Sequence, residues 1–173
     1  NCDLTELICD EEGWCLLTCT QIHRKRFKYS ETEMLKFLNR NNLVFRHDRV
    51  EDSSCSADRP DFVFKTPYGV VIVENDEKQH WNYPCECEQT RMIQIHQDFG
   101  ESVHFIRFNP DSYKNSDGIL VKSCWRLNKL GVISIMKTKE KEWLSRIECL
   151  VGQIQYWIDN PTQKTIEIIE LFY

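Results

Sequence analysis

The stretch that decides the fold runs from residue 59 to residue 80 and reads RPDFVFKTPYGVVIVENDEKQH. Two short apolar segments, DFVFK and VVIVE, flank TPYG, in which Pro67 and Gly69 are typical of a tight turn. Apolar segments of this length on either side of a tight turn predict a β-hairpin. The other predicted elements are placed around this hairpin.

The hairpin brings acidic side chains together at its open end. With a two-residue turn at 67–68, counting back along both strands places Asp61 opposite Glu74. With a bulge in the turn, Asp61 instead lies diagonal to Glu74 and Asp76. Directly opposed side chains are about 5 Å apart at Cβ. Either register therefore gathers carboxylates at one end of the predicted sheet.

Carboxylates this close repel one another and raise each other's pKa, so the predicted cluster needs a compensating positive charge. A divalent cation is the usual answer, and Mg²⁺ prefers a few carboxylates together with water and phosphate oxygens. His80 follows Asp76 by four residues, and a neutral imidazole there would take a proton from a metal-bound water. The pattern therefore favours metal-assisted hydrolysis of a phosphodiester. Taken one at a time, the alternative is an exposed acid or a histidine satisfied in the core.

Helix and strand patterns surround the hairpin. Ser30 and Glu33 form a capping box, which places the start of a helix at Ser30, and Gly100 ends a later helix. Apolar residues at helical spacing, or in short continuous runs, mark the other elements. The predicted helices are 29–42, 85–100 and 141–160. The predicted strands beyond the hairpin are 102–108 and 165–173, and a short extended piece is predicted at 43–50. This order predicts a mixed α/β sandwich with the strands in the middle layer.

Length and composition indicate one main domain, because 173 residues with 41% hydrophobic content can build their own core. No apolar run approaches the length of a membrane span, and no signal-peptide pattern opens the chain. The first residue is Asn, so we expect a fragment of a longer protein whose upstream domain is missing from this sequence.

The formal charge of −5 is unevenly spread along the chain. Residues 23–49 hold eight Lys or Arg against three acids, and a basic face beside an acidic pocket can hold a polyanion. Basic and aromatic side chains are interleaved at 24–29, which hints at contact with DNA. The basic residues concerned are Arg24, Lys25, Arg26 and Lys28. On composition alone, a solvated helix face explains the same run.

Nine cysteines do not indicate a disulfide scaffold here, because the number is odd and the apolar content can build a core without them. We expect a reducing, intracellular compartment. One group is spaced loosely like a structural zinc module and consists of Cys9, Cys15, Cys19 and His23. Free thiols in a partly buried segment are the alternative. We therefore divide the chain into a cysteine-bearing basic segment, 1–29, and a main domain, 30–173.

The residues of the hairpin resemble a known family. Arg59-Pro60-Asp61-Phe62, followed after a hairpin by His80, is similar to the PD-(D/E)xK nuclease superfamily. Within it, the closest pattern is that of the very-short-patch mismatch repair endonucleases and the EDxHD homing endonucleases. A sister group carries E-x-D-G-x-x-H, which Glu74, Asp76 and His80 match, with Glu77 in place of the glycine. Nuclease-like domains of large DNA viruses and protists show a similar succession of motifs.

This resemblance implies a restriction-endonuclease-like mixed sheet sandwiched by helices. It also implies a Mg²⁺- or Mn²⁺-dependent DNA endonuclease, of which a single-strand nickase is one form. Asp61 would be the main metal ligand and Glu74 the second, and His80 would act as the base or position the water. Glu31 resembles the first acid of the EDxHD pattern, with Glu33 as a competitor for that role and ordinary helix capping as the alternative. Asp76 would face the metal or fix the histidine tautomer. Contacts to DNA would come from Arg24, Lys25, Arg26, Lys28, Arg59 and Arg91.

The chain departs from the superfamily pattern at one position. A lysine usually stands two residues after the second acid, and here that residue is Asp76, which cannot supply a positive charge. A nuclease fold that binds DNA or a protein partner without cutting is therefore the second hypothesis. The sequence leaves open dimerisation, the choice between RNA and DNA, and a location such as the nucleus or a viral factory.

Overall fold

The predicted hairpin lies in the middle of a five-stranded sheet in the computed structural model. The structure describes residues 19–47, 59–77, 85–127, 133–160 and 164–173, with side chains described from residue 30 in the first helix and from residue 89 in the second. The helices are α1 (Cys19–Arg40), α2 (Cys85–Phe99) and α3 (Glu140–Asp159). The strands are β1 (Arg46–His47), β2 (Phe62–Thr66), β3 (Gly69–Asn75), β4 (Val103–Phe108), β5 (Tyr113–Lys114), β6 (Leu120–Val121), β7 (Trp125–Leu127), β8 (Ile133–Ile135) and β9 (Ile166–Leu171).

The main sheet is mixed, and its strand order is β1-β2-β3-β4-β9. The first three strands are antiparallel, whereas β4 is parallel to both β3 and β9. Parallel neighbours require a crossover connection, and the helices α2 and α3 provide it on the way to β4 and β9. In the chain, β5 to β8 follow β4 and precede α3, and they form two separate two-stranded sheets, β5–β6 and β7–β8.

The hairpin register matches the two-residue turn considered for the sequence. Thr66 pairs with Gly69, and Phe62 pairs with Val73 at the other end of the ladder. Continued by one residue, this register brings Asp61 level with Glu74. The alternative with a bulge in the turn is therefore wrong, and the register places Asp61 and Glu74 at the same open end of the hairpin.

Helices cover both faces of the main sheet. The face under α1 and α3 is the larger core, and its buried side chains include Met34, Leu38, Phe62, Phe64, Val71, Val73, Ile106, Phe108, Ile147 and Leu150. The face under α2 is formed by Val63, Val70, Ile72, Ile95, Val103 and Phe105. Each fully buried aliphatic or aromatic side chain contributes about 1.5–3 kcal/mol through the hydrophobic effect. The predicted mixed α/β architecture is confirmed at this level.

The elements after the hairpin agree with the sequence prediction, while the start of the first helix does not. The predicted helices at 85–100 and 141–160 and strands at 102–108 and 165–173 are present. The first helix begins at Cys19, so Ser30 lies in its interior and the predicted capping box is wrong. The side chain of Ser30 instead donates a hydrogen bond to Glu77, at 2.6 Å. The predicted division after residue 29 falls inside α1 and stays a prediction.

Two other features of the helices bear on the sequence predictions. Gly100 follows α2 with φ +67°, and its N–H donates to the carbonyl oxygen of His96 at 2.9 Å, as expected for a glycine that ends a helix. Within the described ranges, no helix combines the length and the apolar character that crossing a bilayer requires.

Gly69 allows the hairpin to approach the start of β4 closely. Its φ of +144° is a conformation that side chains rarely adopt, and a Cβ added there would lie 2.3 Å from the carbonyl oxygen of Ser102. The same oxygen accepts a hydrogen bond from the N–H of Val70 at 2.9 Å, so it is held in place. The close contact therefore leaves no room for a side chain.

We expect Gly69→Ala to lower the free energy of unfolding by about 3 kcal/mol or more, because the added methyl group meets fixed backbone in a strained conformation. Urea denaturation measures this loss. The control is Gly100→Ala, where an added Cβ meets no atom within 4 Å and only the positive φ costs about 1–2 kcal/mol. Equal losses in the two variants would contradict the close approach of Gly69 and Ser102.

Candidate active site

The open end of the hairpin places two acids on the face covered by α2. Alternate residues of a strand point to opposite faces of a sheet. Val70 and Ile72 of β3 are buried on the α2 face, so Glu74 lies on that face as well. Asp61 precedes the buried Val63 of β2 by two residues, and the charge of Glu74 acts on it. The two carboxyl groups therefore belong to one site.

Asp61 accepts a hydrogen bond from the backbone, and burial and neighbouring acids destabilise its charged form. Its Oδ2 accepts a hydrogen bond from the backbone N–H of Asn75 at 2.7 Å, which closes the end of the hairpin. Burial raises the pKa of Asp61 well above its ordinary value of 3.8, and the negative charges of Glu74 and Glu31 raise it further. The hydrogen bond from Asn75 and the charge of Arg91 act in the opposite direction without cancelling the shift.

Glu74 is buried, with 7% of its surface exposed. Burial raises the pKa of Glu74 from 4.5 to about 7, against the attraction of Arg91, which lowers it. Arg91 reaches down from α2, and its Nη1 donates to Oε1 of Glu74 at 2.9 Å. Its Nη2 lies 3.4 Å from the carbonyl oxygen of Arg59. Arg91 therefore links α2, the start of β2 and the acid at the end of β3.

Asp76 carries its own compensating partners. Its carboxylate accepts hydrogen bonds from the guanidinium of Arg107 and from the hydroxyl of Tyr173. Burial raises the pKa of the Tyr173 hydroxyl, and the negative charge of Asp76 raises it further. Arg107 is paired with Glu74 across the parallel strands β3 and β4. Arg107 therefore lies beside both Glu74 and Asp76.

Glu31 lies on α1 and contacts a histidine on β1. Its Oε1 lies 2.6 Å from Nε2 of His47 on β1, and its charge acts on Asp61. His47 is paired with Phe62 across β1 and β2, and the two rings stack with centroids 4.9 Å apart. The sequence prediction missed His47, because the pairing of a two-residue strand with β2 has no local signal.

On the opposite face, a small polar network joins α1 to the end of β3. The hydroxyl of Ser30 and the amide nitrogen of Asn75 both donate to Oε1 of Glu77, at 2.6 and 3.2 Å. The same amide nitrogen donates to the hydroxyl of Ser30 at 2.8 Å. Glu77, which stands where the related E-x-D-G-x-x-H motif has glycine, therefore accepts hydrogen bonds in this network. The network fixes the turn of α1 that carries Glu31.

The structure brings Asp61, Glu74, Asp76, Glu31 and Arg91 to one end of the sheet, while Arg59 is exposed beside them. His80 and the first two cysteines of the zinc group, Cys9 and Cys15, lie outside the described residues. The remaining residues proposed for zinc or DNA lie on the described backbone of α1, and their side chains are not described: Cys19, His23, Arg24, Lys25, Arg26 and Lys28. Their roles stay predictions.

The donor set suits a hard divalent cation. Asp61 and Glu74 both have raised pKa values. A bound cation would stabilise their charged forms, which burial and mutual repulsion disfavour. Mg²⁺ is usually held by one or two carboxylates with water and phosphate oxygens. In the described part of the chain there is no group of three or more His, Cys, Asp or Glu placed to hold a metal ion. A pair of carboxylates completed by water and substrate is the arrangement that these residues fit.

Comparison with protein-family models, with curated proteins and with solved structures finds no match to this chain. The chemistry of the site therefore rests on its own residues and on the motif that the hairpin carries.

We expect the free energy of unfolding in metal-free buffer to fall between about pH 5 and about pH 8. The pKa of Glu74 in the folded state, about 7, lies above its ordinary value of 4.5, so the folded protein holds this proton more tightly than the unfolded chain. This stabilisation is complete at low pH and is lost as the pH rises through the folded pKa. Its size is about 3 kcal/mol. Burial is the main cause of the raised pKa of Glu74; the charge of Asp76 adds to it, while Arg91 and Arg107 lower it.

In Glu74→Gln, the fall in stability over this pH range should shrink by about the same amount, because the amide does not titrate. Urea unfolding at a series of pH values measures it. The control is Glu101→Gln, an exposed acid just before β4 at the other end of the sheet, which should keep the wild-type pH dependence. A pH dependence that is the same in Glu74→Gln and in the wild type would show that Glu74 titrates normally.

Proposed function

We propose that this chain is a Mg²⁺- or Mn²⁺-dependent DNA endonuclease with a restriction-endonuclease-like fold of the PD-(D/E)xK type. The observation that carries the proposal is the meeting of Asp61 and Glu74 at the open end of the hairpin, both with raised pKa values. These are the two positions that the resemblance assigns to the metal. The mixed sheet with helices on both faces is compatible with that fold.

Asp61 and Glu74 would hold the cation, which when bound lowers the pKa of a bound water and offsets charge on the phosphate. The residues of the chain then have separate tasks. Asp61 is fixed by the backbone N–H of Asn75, so its carboxylate is oriented before any ligand arrives. Arg91 keeps Glu74 ionisable and orients it. Preorganised groups of this kind need little rearrangement during the reaction.

The missing lysine of the superfamily pattern has a substitute in Arg91. Its side chain is 35% exposed while Nη1 contacts Glu74, so the guanidinium lies at the surface of the site. Arginine matches the geometry of phosphate oxygens and stays charged at all working pH values. Arg91 would therefore supply the positive charge that Asp76 cannot supply.

The basic run on α1 would hold the DNA backbone. Residue 24 precedes Glu31 by seven positions, which corresponds to about 10 Å along a helix axis. Phosphate contacts from this run would position the duplex and carry no sequence information. Binding would weaken as salt concentration rises, because each contact releases counterions.

One observation favours the second candidate function, a nuclease fold that binds DNA or a protein without cutting. Glu74 and Asp76 each have an arginine partner within the protein, Arg91 and Arg107, so their charges are partly compensated without a metal. A site stabilised in this way persists after catalysis is lost. The two functions differ in cleavage, because both predict binding.

The test is cleavage of supercoiled plasmid with Mg²⁺, with Mn²⁺ or with EDTA. We expect metal-dependent nicking or cutting by the wild type and a loss of about 100-fold or more in Asp61→Asn and in His80→Ala, because both variants lose a group of the reacting site. Glu101→Gln, an exposed acid away from the site, should cut like the wild type.

A wild-type protein that binds DNA but cuts neither single-stranded, duplex nor branched substrates would favour the silent binding module. Cleavage that persists in EDTA, or that is unchanged in Asp61→Asn, would contradict the proposed site.

A further inference from the structure

The ribbons β5–β6 and β7–β8 lie in a segment with a strong local excess of positive charge. Residues 112–139 contain six Lys or Arg and one acid, Asp117, although the whole chain has a formal charge of −5. Four described basic side chains of this segment are exposed: Lys114, Lys122, Arg126 and Lys137. In the part of the chain that the structure describes, none of these four takes part in an ion pair. Their charge is therefore available to a partner.

The ribbon β5–β6 points Lys114 away from the protein. Tyr113 lies beside the buried guanidinium of Arg146, whose Cζ is 4.7 Å from the centroid of the tyrosine ring. Successive side chains of a strand point to opposite faces, so Lys114 points outward. Its partner across the ribbon, Leu120, lies on the same outer face and is 58% exposed.

The ribbon β7–β8 points Arg126 outward in the same way. The ring of Trp125 packs edge-on against that of Trp143 on α3, with centroids 4.6 Å apart, and its Nε1 donates to the carbonyl oxygen of Pro110 at 3.1 Å. The next residue, Arg126, therefore lies on the opposite, outer face, where it is paired with Ser134. Each ribbon thus carries a basic residue on its outer face.

Arg146 fixes the position of the first ribbon. Its side chain is 1% exposed, and its Nη1 donates to the carbonyl oxygen of Asp111, shortly before β5, at 2.6 Å. Its Nη2 lies 3.5 Å from the carbonyl oxygen of Lys122, just after β6. A buried guanidinium is costly to leave unpaired, so these contacts hold the chain on both sides of β5–β6. The exposed bases are therefore carried by a well-anchored backbone.

The ribbons lie at the same end of the main sheet as the candidate site. β4 is parallel to β3, and its last residue, Phe108, pairs with Asn75, the residue after Glu74. The chain enters the first ribbon shortly after Phe108. In the second ribbon, Ile133 lines a small cavity together with Glu77, three residues after Glu74. The ribbons therefore border the end of the sheet that carries the acids, on the side of α1 and α3.

We propose that the outer faces of the two ribbons, with Lys114, Lys122 and Arg126, form a second surface for the phosphate backbone of DNA. The inference deepens the proposed function and rests on it for the choice of DNA as the polyanion. Because the surface borders the site without containing its acids, it holds phosphates that flank the one to be cut. Unpaired basic side chains bind phosphates with release of counterions, and here no ion pair among the described residues has to break first.

The test measures binding of a labelled DNA duplex in EDTA, where no metal-dependent cleavage occurs. It compares the wild type with a double variant that carries Lys114→Gln and Arg126→Gln. At about 0.1 M salt, we expect the affinity to fall about 10-fold or more. The plot of log Kd against log salt concentration should become less steep by about two, because each lost phosphate contact removes about one from the slope.

The control carries Lys65→Gln and Lys164→Gln, which remove the same charge at the opposite end of the main sheet. Lys65 pairs with Val70 beside the hairpin turn, and Lys164 forms an ion pair with Glu167 at 3.0 Å. This control should bind DNA like the wild type and keep the wild-type salt dependence. Equal losses of affinity in the control and in the double variant would show a general effect of net charge and overturn the ribbon surface.

Cleavage separates this inference from the proposed function. With Mg²⁺ and saturating protein, the double variant should cut in a single turnover at the wild-type rate, because the ribbons do not contain the acids of the site. If Asp61→Asn abolishes cleavage while the double variant binds like the wild type, the endonuclease stands and the ribbon surface is wrong. If the double variant loses affinity and the wild type cuts no DNA, the ribbon surface stands and the endonuclease is wrong.

Two further results would overturn the ribbon surface. A wild type that binds no DNA contradicts both the surface and the proposed function. Wild-type binding to vesicles that contain phosphatidylserine, lost in the double variant while its DNA affinity stays unchanged, would identify an anionic lipid surface as the partner.

Discussion

The register of the hairpin is the constraint on which the site depends. Pairing of Thr66 with Gly69 sets every later pair and brings Asp61 level with Glu74 at the open end. A slip of one residue would send one of these acids to the opposite face of the sheet. Because the two strands are almost entirely buried, such a slip would also expose their apolar side chains, so the core fixes the geometry of the site.

Buried acids are costly, and the surrounding elements are arranged to offset that cost. Arg91 comes from α2, Arg107 from β4 and the backbone N–H that binds Asp61 from the end of β3. On the other face, Ser30, Asn75 and Glu77 tie α1 to the same strand end, which determines where Glu31 and its histidine partner lie. The compensation is incomplete at Asp61 and Glu74, whose pKa values stay raised mainly because the two carboxyl groups are buried.

The sequence was sufficient where signals are local. The turn at 67–68, the end of α2 at Gly100 and the apolar periodicity of α3 each predicted an element that the structure contains. It was insufficient where a contact joins distant segments. Ser30 has the sequence pattern of a helix cap, yet it lies inside a longer helix. Its hydroxyl donates a hydrogen bond to Glu77, 47 residues away in the chain. The extended piece at 43–50 contains β1, but the contact between His47 and Glu31 was not predicted, because it joins segments distant in the chain. The ribbons β5–β8 were missed because strands of two or three residues have no periodicity to detect.

The central claim is that Asp61 and Glu74 together form a cation site. Calorimetric titration of the metal-free protein with Mn²⁺, in the absence of DNA and above the pKa of Glu74, tests it most directly. We expect one Mn²⁺ per chain in the wild type and in Glu101→Gln, and strongly weakened binding in Asp61→Asn and in Glu74→Gln, since each removes a charged ligand. Binding at the same site and strength in all four proteins, or in none of them, would contradict it.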